Sequence, residues 1–179
     1  MKQEFEQTRN DVVLRVAEEM ALAARTAPKG KGLDLLEIVI VSGEDVKKLS
    51  DQTIEVGIRE NHLGFQRDGA NLLNAQAILL LGTRLERVGL KYCGICGYKN
   101  CDDNKAHGSI CVLNPNDLGL AIGSAVSKAA DYRLDNRIMY SIGKVAVEKN
   151  WFSPEVKIAY GIPLSASGKN PFFDRVATK

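Results

Sequence analysis

Apolar residues recur over residues 3–25 at spacings of three, four and seven, as Phe5, Val12, Val16, Met20 and Ala23. Side chains so spaced share one face of a helix, so the pattern predicts an amphipathic helix with Glu4, Glu6, Arg9, Arg15 and Glu19 toward water. Pro28, Gly30 and Gly32, within TAPKGKGLD (26–34), end that helix in a loop. LLEIVIV (35–41) is β-branched and almost wholly apolar, which suits a strand covered on both faces. Ser42 offers an N-cap to a helix over 44–59, with Val46, Leu49, Ile54 and Ile58 as its inner side. HLGFQRDGANL (62–72) is polar and carries glycines, so it reads as a loop before a second buried strand, NAQAILLLGT (74–83).

Beyond that strand the periodicity lapses over a cysteine-rich stretch, as expected where a bound centre rather than a core organises the chain. Asn114-Pro115-Asn116-Asp117 reads as a turn and cap opening a helix over 118–134. Its small residues, Gly119, Ala121, Gly123, Ser124 and Ala125, suit close helix packing or a dimer interface. A further helix is expected over 135–149, with Ile138, Met139, Ile142, Val145 and Ala146 inward. EVKIAYGIPL (155–164) is a last strand, and SASGKNPFFDR (165–175) an extended arm that docks elsewhere. Helices and strands intermix around one sheet, which makes the class α+β or α/β.

At 179 residues the chain suits a single domain, 1–179, able to bury a core without staples. Twenty-four Lys and Arg against twenty-two Asp and Glu leave a net charge of +2, so no concentrated basic face is expected and nucleic acid is not a predicted partner. MKQEFEQTRND has no apolar signal core, and the longest apolar runs are too short to span a bilayer. The expected compartment is the cytoplasm, where stable disulfides are rare.

That expectation bears on the four cysteines, Cys93, Cys96, Cys101 and Cys111, which run Cys-x2-Cys-x4-Cys-x9-Cys within a segment at about 91–113. Three readings compete: an iron–sulfur cluster on four thiolates, a structural zinc on four cysteines or on three plus His107, and a reduced, inert set. Zinc sites join two close cysteine pairs, whereas here one pair is followed by two single sulfurs. Ligands arriving singly suit the wider corners of a cubane. Gly94 and Gly97 would let backbone N–H groups approach inorganic sulfide. Iron–sulfur is therefore the preferred reading, 4Fe–4S ahead of 2Fe–2S, with zinc the alternative metal.

YCGICGYKNC, ICVLNPNDLGLAIGSAVSKAADYRLDNRIMYSIG and YGIPLSASGKNPFFDR together resemble the uncharacterised prokaryotic proteins described as containing a ferredoxin domain. TAPKGKGLD and FQRDGANL resemble blocks of the same family. The resemblance implies an iron–sulfur redox protein ligated by Cys93, Cys96, Cys101 and Cys111, its physiological reaction and redox partner or substrate unknown. AARTAPKGKGLDLLEIVIV and AYGIPL are similar to blocks of the nitroreductase-like flavoproteins. That second resemblance implies an α+β fold, a three-layer arrangement of helices around a mixed β-sheet, and a homodimer that binds FMN. Arg25, Lys29 and Lys31 are the nearest cations for an FMN phosphate, or else a solvated loop. Lys29 stands where that superfamily has Ser and Gly32 where it has Asn, and its N-terminal Arg-Ser-x-Arg element is absent.

The remaining polar clusters carry structural readings. His107 is expected at the surface, and His62 has no constellation around it. Asp135 of Asp135-Asn136-Arg137 is expected to cap a helix, and Arg67-Asp68 with Asn71 to fix a loop or serve catalysis. Hydrolase triad, Walker and zincin motifs are absent from the sequence.

Overall fold

A computed structural model describes residues 2–174; Arg175, the last residue of the expected arm, lies outside them. A single 3-10 turn, Phe5–Gln7, leads into helix α1, Arg9–Thr26, which buries Val13, Val16, Ala17, Met20 and Ala24. Strand β1 spans Leu36–Ser42. Helix α2, Glu44–Arg59, starts from Gly43 at φ 60° rather than from a Ser42 cap, since Ser42 is still paired in the strand. Helix α3 spans Leu63–Leu72, strand β2 Ala77–Arg84, and a short helix α4 Cys101–Ala106. Helix α5, Leu113–Asp131, begins five residues earlier than 118, so Asn114-Pro115-Asn116-Asp117 is its first turn. Asp135–Asn136 is a two-residue strand, β3, and not a cap; helix α6 follows at Tyr140–Glu148 and strand β4 at Val156–Ser165.

The sheet order is β1-β2-β4-β3 and every pairing is antiparallel, which corrects the expected mixed sheet. The cause is α3, which occupies the segment read as a loop. With α2 alone between them, β1 and β2 would be joined by a crossover and run parallel. The α2–α3 hairpin instead returns the chain to the end of the sheet it left, so β2 must run back against β1.

Side chains alternate across the strands into two cores. Leu36, Leu79, Leu81, Ile162 and Leu164 face α1 and α5, while Val41, Ile78, Leu80 and Ala159 face α2, α3 and α6. Hence three layers form around a central β2 whose Ala77 to Thr83 are all buried. The close approach of α6 to β4 depends on Gly143, where an added Cβ would lie 1.9 Å from the carbonyl oxygen of Ala159. The arm after β4 does dock: Phe172 is wholly buried in the second core, and its carbonyl accepts from Arg137 at 3.0 Å. Among the described residues no helix is long and apolar enough to cross a membrane.

Candidate metal centre

Residues 85–112 leave the sheet at β2 and return to the body at α5, so the cysteines hang between two fixed points. Cys101 opens α4, whose N-terminus is capped by the Asn100 side chain accepting the Asp103 N–H at 2.9 Å. The Asp103 carboxylate in turn accepts the Lys99 N–H at 3.0 Å. Cys111 lies directly before Val112, the N-cap of α5. Gly97 takes φ 84°, a left-handed conformation that glycine adopts without strain, and its N–H donates to Gly94 carbonyl at 2.8 Å. That N–H therefore closes a turn of the loop instead of aiming at sulfide.

A buried asparagine draws the segment together. Asn104, 2% exposed, donates through Nδ2 to the Ile110 carbonyl at 3.0 Å and accepts from Arg87 Nε at 3.1 Å. Arg87 also donates to the Ser109 carbonyl at 3.1 Å, and the Tyr98 and Ser109 hydroxyls meet at 2.6 Å. The result is one small cavity lined by Cys93, Cys96, Cys101 and Cys111, with Arg87, Asn104, Val112 and Leu113 completing its wall. All four thiols are free and half-buried.

The donor set fits a thiophilic centre, because four soft sulfurs face one space walled partly by apolar side chains. Among the described residues no three His, Cys, Asp or Glu side chains are grouped closely enough to hold a single ion. His107 is not in the cavity wall; its ring is exposed, lies 5.1 Å from that of Tyr98, and its Nδ1 is 2.9 Å from the Asp103 carbonyl oxygen. Asn114, 1% exposed and three residues beyond Cys111, has no hydrogen-bond partner for either amide atom among the described residues. Burying such a group unpaired costs about 1–3 kcal/mol, so a polar partner is owed at this end of α5.

The cations proposed for a phosphate lie at the end of α1 (Arg25) and on the loop after it (Lys29, Lys31). Arg25 pairs with Asp34 at 2.6 Å and donates to the Leu36 carbonyl at 3.0 Å. Lys29 donates to the carbonyls of Arg25 and Ala27, at the C-terminus of α1. Lys31 is exposed, in a left-handed turn with φ 58°. This loop touches the base of α5: the Gly30 N–H donates to Asp117 at 2.8 Å, and a Cβ at Gly30 would meet Leu113 at 3.4 Å. Arg67, partly exposed, pairs with the buried Asp68, to which Ser141 donates at 2.6 Å. Arg87 and Asn104 escaped the sequence reading, since neither has a spacing or neighbour that marks it; only the folding of the segment brings them to the thiols.

A family model described as "Uncharacterized protein containing a ferredoxin domain (DUF2148)" matches residues 107–175, a span that includes Cys111. An uncharacterized protein of Archaeoglobus fulgidus is 38% identical over 179 residues, covering 96% of each chain. Among solved structures, a nitroreductase with bound FMN from Bacteroides fragilis superposes with a TM-score of 0.63 at 9% identity, over 92% of this chain and 83% of that one. An oxidoreductase containing FMN gives a TM-score of 0.58 at 16% identity, over 87% of this chain and 67% of that one. A BluB-like flavoprotein from Clostridium difficile gives 0.54 at 16% identity, over 92% and 84%. At such identities the likeness shows a shared nitroreductase-like fold.

Proposed function

The chain belongs to the family of uncharacterized proteins containing a ferredoxin domain, and on that footing we propose that it is an iron–sulfur redox protein ligated by Cys93, Cys96, Cys101 and Cys111. The observation that carries this reading is the convergence of all four thiols on one cavity. The cysteine spacing, one close pair followed by two single sulfurs, supports a polynuclear centre over four-cysteine zinc, and we take that centre to be 4Fe–4S ahead of 2Fe–2S. When bound, such a cluster supplies one-electron transfer. The chain's own part is to hold it through the four thiolates and to limit water through Val112 and Leu113.

Anaerobic purification followed by iron and acid-labile sulfide analysis tests the reading. A brown protein with broad visible absorbance that dithionite bleaches is expected. A colourless protein with stoichiometric zinc and no sulfide would overturn it and leave a structural, non-enzymatic zinc site.

A second reading adds a flavin, making the protein an oxidoreductase that passes electrons between FMN and the cluster. It is supported by the fold shared with FMN-containing proteins and by the Lys29–Gly32 loop, which packs on Leu113, itself part of the thiol cavity. Arg25 and Lys29 are held by the chain's own groups, which leaves Lys31 as the exposed cation of that loop for a phosphate. Release of a yellow, fluorescent compound on denaturation is the expected sign. In this reading the protein is a cytoplasmic homodimer, with a solution mass of about twice 19.6 kDa by light scattering.

A further inference from the structure

We propose that Arg87 raises the reduction potential of the centre held by the four cysteines, acting as a fixed positive charge beside the thiol cavity. This rests on the iron–sulfur reading above. Arg87 lines the cavity together with the four cysteines. Its guanidinium is tied to the segment that carries the thiols. Nε is bonded to the buried Asn104 side chain at 3.1 Å and a terminal nitrogen to the Ser109 carbonyl at 3.1 Å. Asn104 is itself pinned through its amide to the Ile110 carbonyl at 3.0 Å. Both partners of Arg87 are neutral, so these bonds orient the charge without cancelling it. Arginine stays protonated throughout the working pH range, so the charge is permanent.

The sign follows from the electron count. Reduction places one electron from an external one-electron donor on the cluster, with no bond made or broken and no proton required. The reduced assembly is more negative by one unit, and a neighbouring cation stabilises it more than the oxidised form. Removing the charge therefore lowers the midpoint potential. Arg87 is exposed on its outer side, so added salt screens the effect.

The test is anaerobic redox titration of intact protein at low and high salt, followed by visible absorbance. Arg87→Gln should retain iron and sulfide but lower the potential by up to tenfold in the one-electron equilibrium, about 59 mV. The gap should narrow at high salt. Arg87→Lys, which keeps charge but loses the planar fork, should stay near the wild-type value. Asn104→Asp sets a carboxylate against Arg87 Nε, at the loss of the amide bond to the Ile110 carbonyl, so it too should lower the potential. It decides the matter if Arg87→Gln fails to assemble a centre. Unmoved potentials in Arg87→Gln or Asn104→Asp, or equal shifts in the Gln and Lys variants, would overturn the proposal while leaving the iron–sulfur reading intact. Wild-type protein devoid of iron and sulfide would overturn both.

Discussion

Asp34 sits where the loop after α1 enters β1, and its surroundings fix how it responds to acid. Burial pushes its carboxyl up, but hydrogen bonds from Arg25 and the Leu36 N–H, with the charges of Arg25 and Lys29, outweigh that and hold it below the ordinary carboxylate value. A depressed carboxyl adds stability above its unfolded pKa, about 3.9, and loses it as pH falls through the folded value. Asp34→Asn should therefore lower stability at neutral pH and flatten the acid limb of the stability curve, with little effect once wild-type Asp34 is protonated. Both partners are more than a third exposed, so the neutral-pH loss should stay within about 1 kcal/mol. Urea denaturation at neutral pH and near the acid midpoint of the transition measures it. The sequence shows Arg25 and Lys29 as cations beside a glycine-rich loop, but not what they hold, because Leu36 and the end of α1 meet them only after folding.

The glycines of α3 misled the periodicity argument for a physical reason. Gly64 and Gly69 in HLGFQRDGANL look like loop residues, yet a Cβ at Gly69 would lie 2.8 Å from Ile54, and one at Gly57 2.7 Å from the Gln66 nitrogen. Gly57 and Gly69 let α2 and α3 pack backbone to backbone, and glycine in a tight helical hairpin is locally indistinguishable from glycine in a turn. The His62 ring, accepting the Gly64 N–H at 3.1 Å, caps the helix in place of the usual Ser, Thr, Asp or Asn. The antiparallel return of β2 was therefore not legible in the sequence, whereas α2 was legible from periodicity and the three long strands from their apolar runs. On α5 the small residues divide: Ala121 and Ala125 are fully buried in the first core, whereas a Cβ at Gly119 or Gly123 meets nothing of the same chain within 4 Å. Gly69→Ala should destabilise by about 1–3 kcal/mol through overpacking. Gly123→Ala should instead stabilise by about 0.4–1 kcal/mol, since the native backbone there is helical and open. Chemical denaturation of the two variants side by side checks both signs; a loss at Gly123 would show that a second copy of the chain covers that face.

The whole molecule divides its labour between two apolar cores and one polar-tied loop. No residue from 85 to 112 belongs to either core cluster, and what closes the loop is hydrogen bonding through Arg87, Tyr98, Asn104 and Ser109. The four cysteines were visible in the sequence as a candidate ligand set because their clustering is local. Their common cavity depends on β2 and α5 as distant anchors, which no spacing records. Folding of the body should therefore be nearly independent of the centre. Cys96→Ser should abolish the visible chromophore, yet its melting temperature should lie within about 2–4 °C of metal-stripped wild-type protein, the shift expected for about 1 kcal/mol in a chain of this size. The comparison must be with stripped protein because a bound centre adds stability by mass action alone. Limited proteolysis should cut the variant first within residues 91–113, where buried apolar contacts are few. Global unfolding of Cys96→Ser under conditions where stripped wild-type protein stays folded would mean that the loop, and not only its metal, supports the sheet.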